Sequence, residues 1–440
     1  MAGRSLHIAW LGPKPGEDGG AQGVATDLLA GLTALGYRID CFFPSSGSTL
    51  PERLAGIENL TFNWGTSDWK WGRWYSRTRL TAFMSGMVAR SISLVRLRRE
   101  IAARHERDPY DIIYQFSTIE SLGVPGRLTR TVPLVIHPEA HSAGELRELI
   151  AERRLGLRCQ TRLRFATIAA IMLLRALVQR VRIRRARLLI CISSVFRDRL
   201  IRDYGFPAGD TTIVQNSVRL DRFTPLEHPQ GEPPTVLVLG RIAVRKGIED
   251  VVAVARASLE RGSDVRFRVV GAPSLFSDYT PLLEDLPAEN SEYVGAVAAS
   301  DIPGQLAETD LLLAPSRYEP FGLTVGEALA AGVPVVGTSE VGAIEYVDRS
   351  VAAEVAPGDV PALVDAIAEM LERFRAAPAE MRAKARAEAE RLFAPEVICG
   401  QLASALEQLV AAAEAERAQR AQRAPRRAPA VADPPRSRGT

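Results

Sequence analysis

The chain is expected to fold in the α/β class, as two doubly wound parallel-sheet domains of similar design. Three observations carry this expectation. Short continuous apolar runs alternate with segments of helical periodicity, the pattern of parallel strands covered on both faces by helices. The alternation occurs twice, once in each half of the chain. Between the two series lies SVRLDRFTPLEHPQGEPPT, Ser217 to Thr235, a polar, Pro-containing break with the composition of a linker. At 440 residues the chain is also too long for one ordinary core.

In the first series the strands read LHIAWLG, YRIDCFF, DIIYQF, PLVIH and RLLICIS, with a helix expected across Thr26 to Leu35. In the second they read TVLVLG, VRFRVVG, SEYVG, DLLLAPS, VPVVGT and AAEVA, with a helix from Ile248 to about Arg261. The expected domains are therefore 1–218 and 235–392, joined by a linker at 219–234. A closing helix at 393–416 follows, with apolar residues at helical spacing. The basic segment 417–440 has almost nothing to bury and is expected to be disordered. In such a pair of open sheets, ligand belongs at the carboxyl ends of the strands, in a deep cleft between the domains.

The apolar fraction of 46%, charged fraction of 24% and net charge of +3 are those of a soluble globular protein. They do not point to nucleic acid. Cys41, Cys159, Cys191 and Cys399 form no CxxC pair, so a reducing compartment is expected. The first apolar run is too short for a signal-peptide core. Phe165 to Leu174 spans about half a membrane. The expectation is a cytoplasmic protein, with peripheral attachment at the inner membrane face as a variant.

Three stretches could carry chemistry. RYEPFGLTVGEALAAGVPVVG, Arg317 to Gly337, places Glu319 and Glu327 eight positions apart in an otherwise apolar setting, where an unpaired carboxylate costs several kcal/mol, about 2–7 for a polar group and more for a charge. Pro320 disfavours helix at Glu319, so this residue is either a ligand group at a strand end or an exposed loop carboxylate. Thr324 and Glu327 have the spacing of a capping box, which is the structural alternative for Glu327. GRIAVRKG, Gly240 to Gly247, brings Arg241, Arg245 and Lys246 to an expected helix start, a site for phosphate or diphosphate or else a solvated basic loop. LGPKPGEDGGAQGVATDLL sets Gly19 and Gly20 at a loop mouth, where backbone can approach a ligand closely. Neither GxxxxGK[ST] nor GxGxxG is present, which removes a P-loop and weakens a nicotinamide site.

Together, GRIAVRKG, the glycine ending VRFRVVG (Gly271) and APSRYEPFGLTVGEALAAGVPVVGTSEVGAIEYV resemble family 4 of the retaining nucleotide-sugar glycosyltransferases, which have the GT-B fold of two Rossmann-like domains. QNSVRLDRFTP is similar to that family's interdomain passage, with Ser217 where glycine is usual. LFAPEVICGQLASALEQL resembles its closing helix. The likeness covers most of residues 6–412 and is loose over 40–190.

The resemblance implies transfer of a sugar from a nucleoside diphosphate donor with retention at the anomeric carbon. It places Glu327 on the ribose, Glu319 beside the donor sugar and Arg241 with Lys246 on the diphosphate. Gly20, with Gly19 before it, would approach the donor from the opposite domain. Gly240, Gly271, Phe321, Gly322 and Leu323 would complete the donor contacts. His137, in PLVIHPEAHS, matches a family histidine near the donor sugar, and a histidine satisfied at a strand end is the alternative. His141 could face the same cleft. The family often has His in the strand that here reads DIIYQFS. Developing negative charge on the leaving diphosphate would be met by fixed cations, so no obligatory metal or other cofactor is expected, and no DxD pair stands where one would bridge a metal. An epimerase or phosphorylase of the same fold, or a silent sugar-nucleotide-binding scaffold, are the alternatives.

Two basic regions remain. Thr66 to Leu80 interleaves Trp69, Trp71, Trp74 and Tyr75 with Lys70, Arg73, Arg77 and Arg79. Between Arg153 and Arg187 there are eleven arginines and no acid. Such segments suit an anionic membrane surface and a saccharide or lipid-linked acceptor; a solvated helix face is the alternative, and no nucleic-acid motif accompanies them.

Overall fold

A computed structural model describes residues 5–16, 20–47, 49–67, 79–117, 122–225, 233–273 and 278–423. In the first half, short apolar runs become strands and the intervening periodic segments become helices. These elements are β1 (His7–Leu11), α1 (Ala21–Ala34), β2 (Arg38–Ser45), β3 (Leu60–Ser67), α2 (Arg79–Arg107), β4 (Ile112–Ser117), β5 (Leu134–Pro138), α3 (Ser142–Ala151), α4 (Arg153–Cys159), α5 (Arg162–Ile183), β6 (Leu188–Cys191), α6 (Ser194–Tyr204) and β7 (Thr211–Ile213). The second half contains β8 (Thr235–Leu239), α7 (Ile248–Glu260), β9 (Arg266–Val270), β10 (Ser291–Gly295), α8 (Ile302–Ala307), β11 (Leu311–Ala314), α9 (Leu323–Ala330), β12 (Val335–Thr338), β13 (Ala352–Val355), α10 (Val360–Ala376), α11 (Pro378–Phe393) and α12 (Pro395–Arg423).

Both sheets are parallel throughout, in the orders β3-β2-β1-β4-β5-β6-β7 and β10-β9-β8-β11-β12-β13. Each order reverses direction once, between β1 and β4 and between β8 and β11. At such a switch point neighbouring loops leave in opposite directions and open a crevice at the strands' carboxyl ends. The described segments that leave there are 12–16 in the first sheet, and 240–247 and 315–322 in the second. Each of the three stretches singled out for chemistry includes residues of one of these segments.

The central strands are buried on both faces, as in β1 and β12, so they show no polar alternation. Edge strand β10 alternates instead. α1 begins at Ala21 with Gly20 as its N-cap, five residues before the expected Thr26. α12 runs to Arg423, beyond the expected end near residue 416. It does so with few further apolar contacts, aided by Arg187 to Glu416 and Arg417 to the Thr131 carbonyl.

α12 leaves the second domain and packs on the first. Ile398, Cys399, Leu402, Leu406 and Val410 share a core with Val24, Leu28 and Leu32 of α1, and Tyr37 donates a hydrogen bond of 2.6 Å to Glu407. The close approach depends on Gly31, where a Cβ would lie 2.2 Å from Cys399 Sγ. Gly31→Ala is expected to cost about 1–3 kcal/mol by overpacking, with partial recovery in the Gly31→Ala/Cys399→Ala protein. Thermal unfolding reads both, and a fully stable Gly31→Ala protein would contradict this helix contact.

Candidate active site

The second sheet's switch-point loops meet at Glu319. Its carboxylate accepts from Arg245 at 2.9 Å and pairs with Lys246. Burial alone would raise its pKa, but the charges of Lys246 and then Arg245 outweigh this and hold the carboxyl down at about 2. The backbone is held equally firmly: Glu319 N–H donates to the Glu340 carbonyl at 3.0 Å, and the Glu319 carbonyl accepts from Gly342 at 3.1 Å. Arg317 and Tyr318 both donate to the Arg245 carbonyl, so the two loops form one unit. The exposed-carboxylate alternative for Glu319 does not hold.

Two cations share one carboxylate here. Burial lowers the pKa of Lys246 and the charge of Arg245 adds to that, against the pull of Glu319. Exposed Arg241 stands on the rim of the same recess, which Gly240, Lys246, Ser316, Glu319 and Thr324 also line. The recess thus carries excess positive charge beside the N-terminus of α7, whose N-cap Gly247 has φ 68°. A Cβ at Gly247 would meet the Pro315 carbonyl at 2.1 Å, so glycine lets the two loops touch. The arrangement suits a multiply charged anion.

Glu327 sits in a second recess with Gly20, Asp27, Ser217, Arg222 and Leu323, contributed by both domains and the passage between them. The capping box does not form. Gly322, in a left-handed conformation at φ 95°, is the N-cap of α9, without a side-chain cap, so Glu327 falls on the second turn, out of reach of the cap amides. It accepts no hydrogen bond among the described residues. Burial raises its carboxyl to about 7, with Arg222 and Lys246 pulling the other way.

The other expected residues divide. Gly20 lines the second recess with φ 78°, and Gly19 lies outside the described residues. Leu323 lines the same recess, whereas Phe321 is 2% exposed and stacks edge-on against Phe393, centroids 5.6 Å apart, a core role. Gly271 permits close strand ends: its Cβ would lie 1.7 Å from the Gly240 carbonyl oxygen. Of Thr66 to Leu80, residues 68–78 lie outside the described residues.

His137 is fully buried at the end of β5, with Nδ1 2.6 Å from the Tyr114 hydroxyl; burial lowers its pKa to about 3 and keeps it neutral. Tyr114 thus occupies the strand where the resembled family often has histidine. His141 does not face the cleft. Its Nδ1 lies 3.0 Å from the hydroxyl of buried Tyr318, whose ring also carries the Arg199 guanidinium at 4.3 Å. Arg199 reaches Glu340 at 2.5 Å and Glu148 at 3.2 Å, and Ser193 donates to the Pro320 carbonyl at 2.6 Å. First-domain residues therefore grip the loop that carries Glu319. Sequence reasoning missed Tyr318, and it placed Arg245 on the basic loop without pairing it with Glu319. Only Arg245 carried a signal, as the neighbour of Lys246.

Glu319→Gln strands two cations, which should cost about 3–5 kcal/mol. Because the folded pKa is depressed from 4.5 to about 2, the stabilisation is present above 4.5 and lost as pH falls toward 2. The parent should melt earlier over that window and the variant should lose less; parallel melting curves would contradict the pairing. Glu327 has the opposite sign. With its pKa raised from 4.5 to about 7, its burial penalty grows as pH rises through that range. Glu327→Gln should therefore gain on the order of 2 kcal/mol above pH 7 and nothing near 4.5, which thermal melts across pH would show.

Among known proteins, two family models match, Glycosyltransferase Family 4 over residues 18–222 and Glycosyl transferases group 1 over residues 233–373, one on each sheet. The chain is 27% identical over 217 residues to glycogen synthase of Mycobacterium tuberculosis, covering 48% of this chain and 50% of the relative. It is 32% identical over 205 residues to the GDP-mannose-dependent alpha-(1-6)-phosphatidylinositol monomannoside mannosyltransferase of the same organism, covering 41% and 51%. The chain spans about half the length of the curated relatives it matches. Among solved structures, sucrose-phosphate synthase from Thermosynechococcus elongatus is similar at TM-score 0.65 and 21% identity, covering 92% of this chain and 100% of that one. HepE of Anabaena, in complex with UDP and glucose, is similar at 0.60 and 20%, covering 91% and 99%. At these identities the likeness is one of fold, and the fold is GT-B. With its two parallel sheets matched in turn by the two family models, the chain belongs to the family 4 glycosyltransferases.

Proposed function

We propose that the protein transfers a sugar from a nucleoside diphosphate sugar to an acceptor hydroxyl, with retention at the anomeric carbon and without an obligatory metal. The observation that carries this is the pairing of two recesses across α9. One is lined by Arg241 and Lys246, with Arg245 held beside it on Glu319; the other holds Glu327, whose carboxyl accepts no hydrogen bond among the described residues, together with Gly20. A diphosphate fits the first and ribose hydroxyls fit the second. Relatives and neighbours whose names include GDP-mannose, UDP and glucose support the donor class. As the bond to the leaving diphosphate breaks, Lys246 and Arg241 would meet the growing charge in place, with little reorganisation. Glu319 would hold Lys246 and Arg245 in position and lie beside the donor sugar, with neutral His137 across the cleft.

Lys246→Ala should lower turnover by about 100-fold or more, as for loss of one preorganised donor to developing charge, and chelator should leave the parent's rate unchanged. Nucleoside diphosphate release from UDP-, GDP- and ADP-sugars measures both; a strict magnesium requirement would overturn the metal-free account. Ribose hydroxyls donating to Glu327 favour its charged form, so nucleotide binding near pH 7 should release protons. Calorimetry in buffers of different ionisation enthalpy should find that release in the parent and none in Glu327→Gln.

We further propose that α5 and α2 form a face for an anionic membrane, which suits a lipid-linked acceptor. On α5, Leu163, Leu173, Leu174, Leu177 and Val181 are 51–79% exposed, at spacings that place them along one stripe. Val88 and Ile92 of α2 are also more than half exposed. The arginines from 153 to 187, uninterrupted by any acid, complement anionic headgroups. No helix among the described residues is long and apolar enough to cross a membrane, so attachment would be peripheral. The protein should float with vesicles rich in anionic lipid and not with neutral ones, and Leu173→Glu/Leu177→Glu should stay at the bottom; equal recovery with both vesicle types would refute this face.

A further inference from the structure

A second set of polar groups, on the first domain's side of the cleft, has no role in anion binding. Trp10 at the end of β1 stacks on Tyr114, centroids 4.5 Å apart, and on Phe116 at 5.3 Å. His137 at the end of β5 stands edge-on to Phe116 at 5.1 Å. Its Nε2 lies 3.6 Å from Glu139 Oε1, and Glu139 Oε2 accepts from Asn216 Nδ2 at 2.8 Å. Four atoms of this group make no hydrogen bond among the described residues: Trp10 Nε1, His137 Nε2, Glu139 Oε1 and Asn216 Oδ1.

Such atoms are costly to bury, about 1–3 kcal/mol each when unsatisfied, and four in one cluster need a shared explanation. Trp10 and His137 are 0% exposed and Asn216 is 1% exposed, while the Glu139 side chain is 11% exposed. Glu139 is thus the open edge of a closed group. Gly12 lies against the indole nitrogen, where an added Cβ would stand 3.1 Å from Trp10 Nε1. Asn216 adjoins Ser217, which lines the recess holding Glu327 and Gly20. The cluster therefore borders the nucleotide side of the same cleft.

We propose that Trp10, His137, Glu139 and Asn216 form one hydrogen-bonding subsite for the ring hydroxyls of a saccharide bound in the cleft. The inference rests on the glycosyltransferase reading and adds to it the contacts of Trp10, Glu139 and Asn216. A hydroxyl both donates and accepts, and this set offers both: the indole N–H donates, the Asn216 oxygen accepts, and a neutral carboxyl does either. Burial raises Glu139 to about 8, against the hydrogen bond from Asn216, so it is largely protonated at neutral pH. The groups facing it are His137 from β5, Asn216 from the passage and Tyr114 from β4, none of them a cation at that pH. A phosphate or carboxylate would find no counter-charge there. The Tyr114 hydroxyl, donating to His137 Nδ1, would place the remaining imidazole proton on Nε2, where it points toward Glu139 and the subsite. Glu139 is a positioning residue for His137 as well as a contact for sugar.

The ring could belong to the donor or to the acceptor, and the test separates them. Calorimetry on the full chain would compare UDP with UDP-glucose and GDP with GDP-mannose. Ligand-observed NMR would follow methyl α-glucoside and methyl α-mannoside with and without nucleotide. If the donor ring occupies the subsite, Glu139→Ala and Asn216→Ala weaken the sugar nucleotide about tenfold, the loss of one to two hydrogen bonds, and leave bare nucleotide unchanged. If the acceptor ring does, both nucleotide forms bind as before and the pyranoside signal disappears. Glu139→Gln keeps a neutral donor and acceptor and should restore binding. It should also remove the loss of sugar binding that the parent shows as pH rises through about 8. Melting curves identify a variant that has merely lost its fold. Folded alanine variants that bind every probe like the parent would overturn the subsite. A parent that binds no nucleotide would overturn the glycosyltransferase reading instead, leaving the pyranoside arm on unloaded protein to decide the subsite.

Discussion

The buried contact of Glu319 with Arg245 and Lys246 is the constraint on which the rest of the cleft depends. It joins the two loops that leave the second sheet at its switch point, and it does so with charges that are unequal in number. One carboxylate fixes two cations and leaves them under-neutralised. Such a cluster is costly to assemble in a dry interior, and stability is a poor reason to keep it. Preorganised positive charge beside a helix N-terminus is a good one, because on the proposed donor binding an arriving diphosphate would supply the missing negative charge without any rearrangement of the cations.

The same loop is held from the other domain. Tyr318, one residue before Glu319, is buried against His141 and Arg199, and Ser193 fixes the Pro320 carbonyl. Position in one domain's site is therefore set partly by contacts with its neighbour, and the closing helix on α1 ties the pair together a second time. Any hinge opening would have to break the Tyr318 contacts, so domain motion and the placement of Glu319 are coupled. Titrating side chains around the cleft differ sharply. Glu319 is held charged by its cations, whereas Glu327, Glu139 and His137 are pushed toward neutrality by burial.

Much of this was legible in the residues. The alternation of apolar runs and helical periods gives two parallel sheets, and the Pro-rich break separates them. Glu319, Arg241 and Lys246 stand out as charges at strand ends, where open sheets bind ligands. Other features were not legible, for physical reasons. β3, LTFNWGTS, carries glycine and polar residues and is half-buried, so it lacks the continuous apolar signal of its neighbours. The Thr324–Glu327 spacing suggests a cap, but a left-handed Gly322 starts the helix earlier, and local pattern cannot read that backbone choice. The side chains of Tyr318 and Asn216 acquire their meaning from side-chain partners 77 or more positions away, which no local spacing encodes.

The most direct test of the central claim is a crystal structure of the protein with a bound nucleoside diphosphate. The account predicts diphosphate oxygens within hydrogen-bond distance of Arg241 and Lys246, ribose hydroxyls on Glu327, and Glu319 still paired with its two cations. A nucleotide bound elsewhere, or one that binds only after Glu319 has released Lys246, would contradict it.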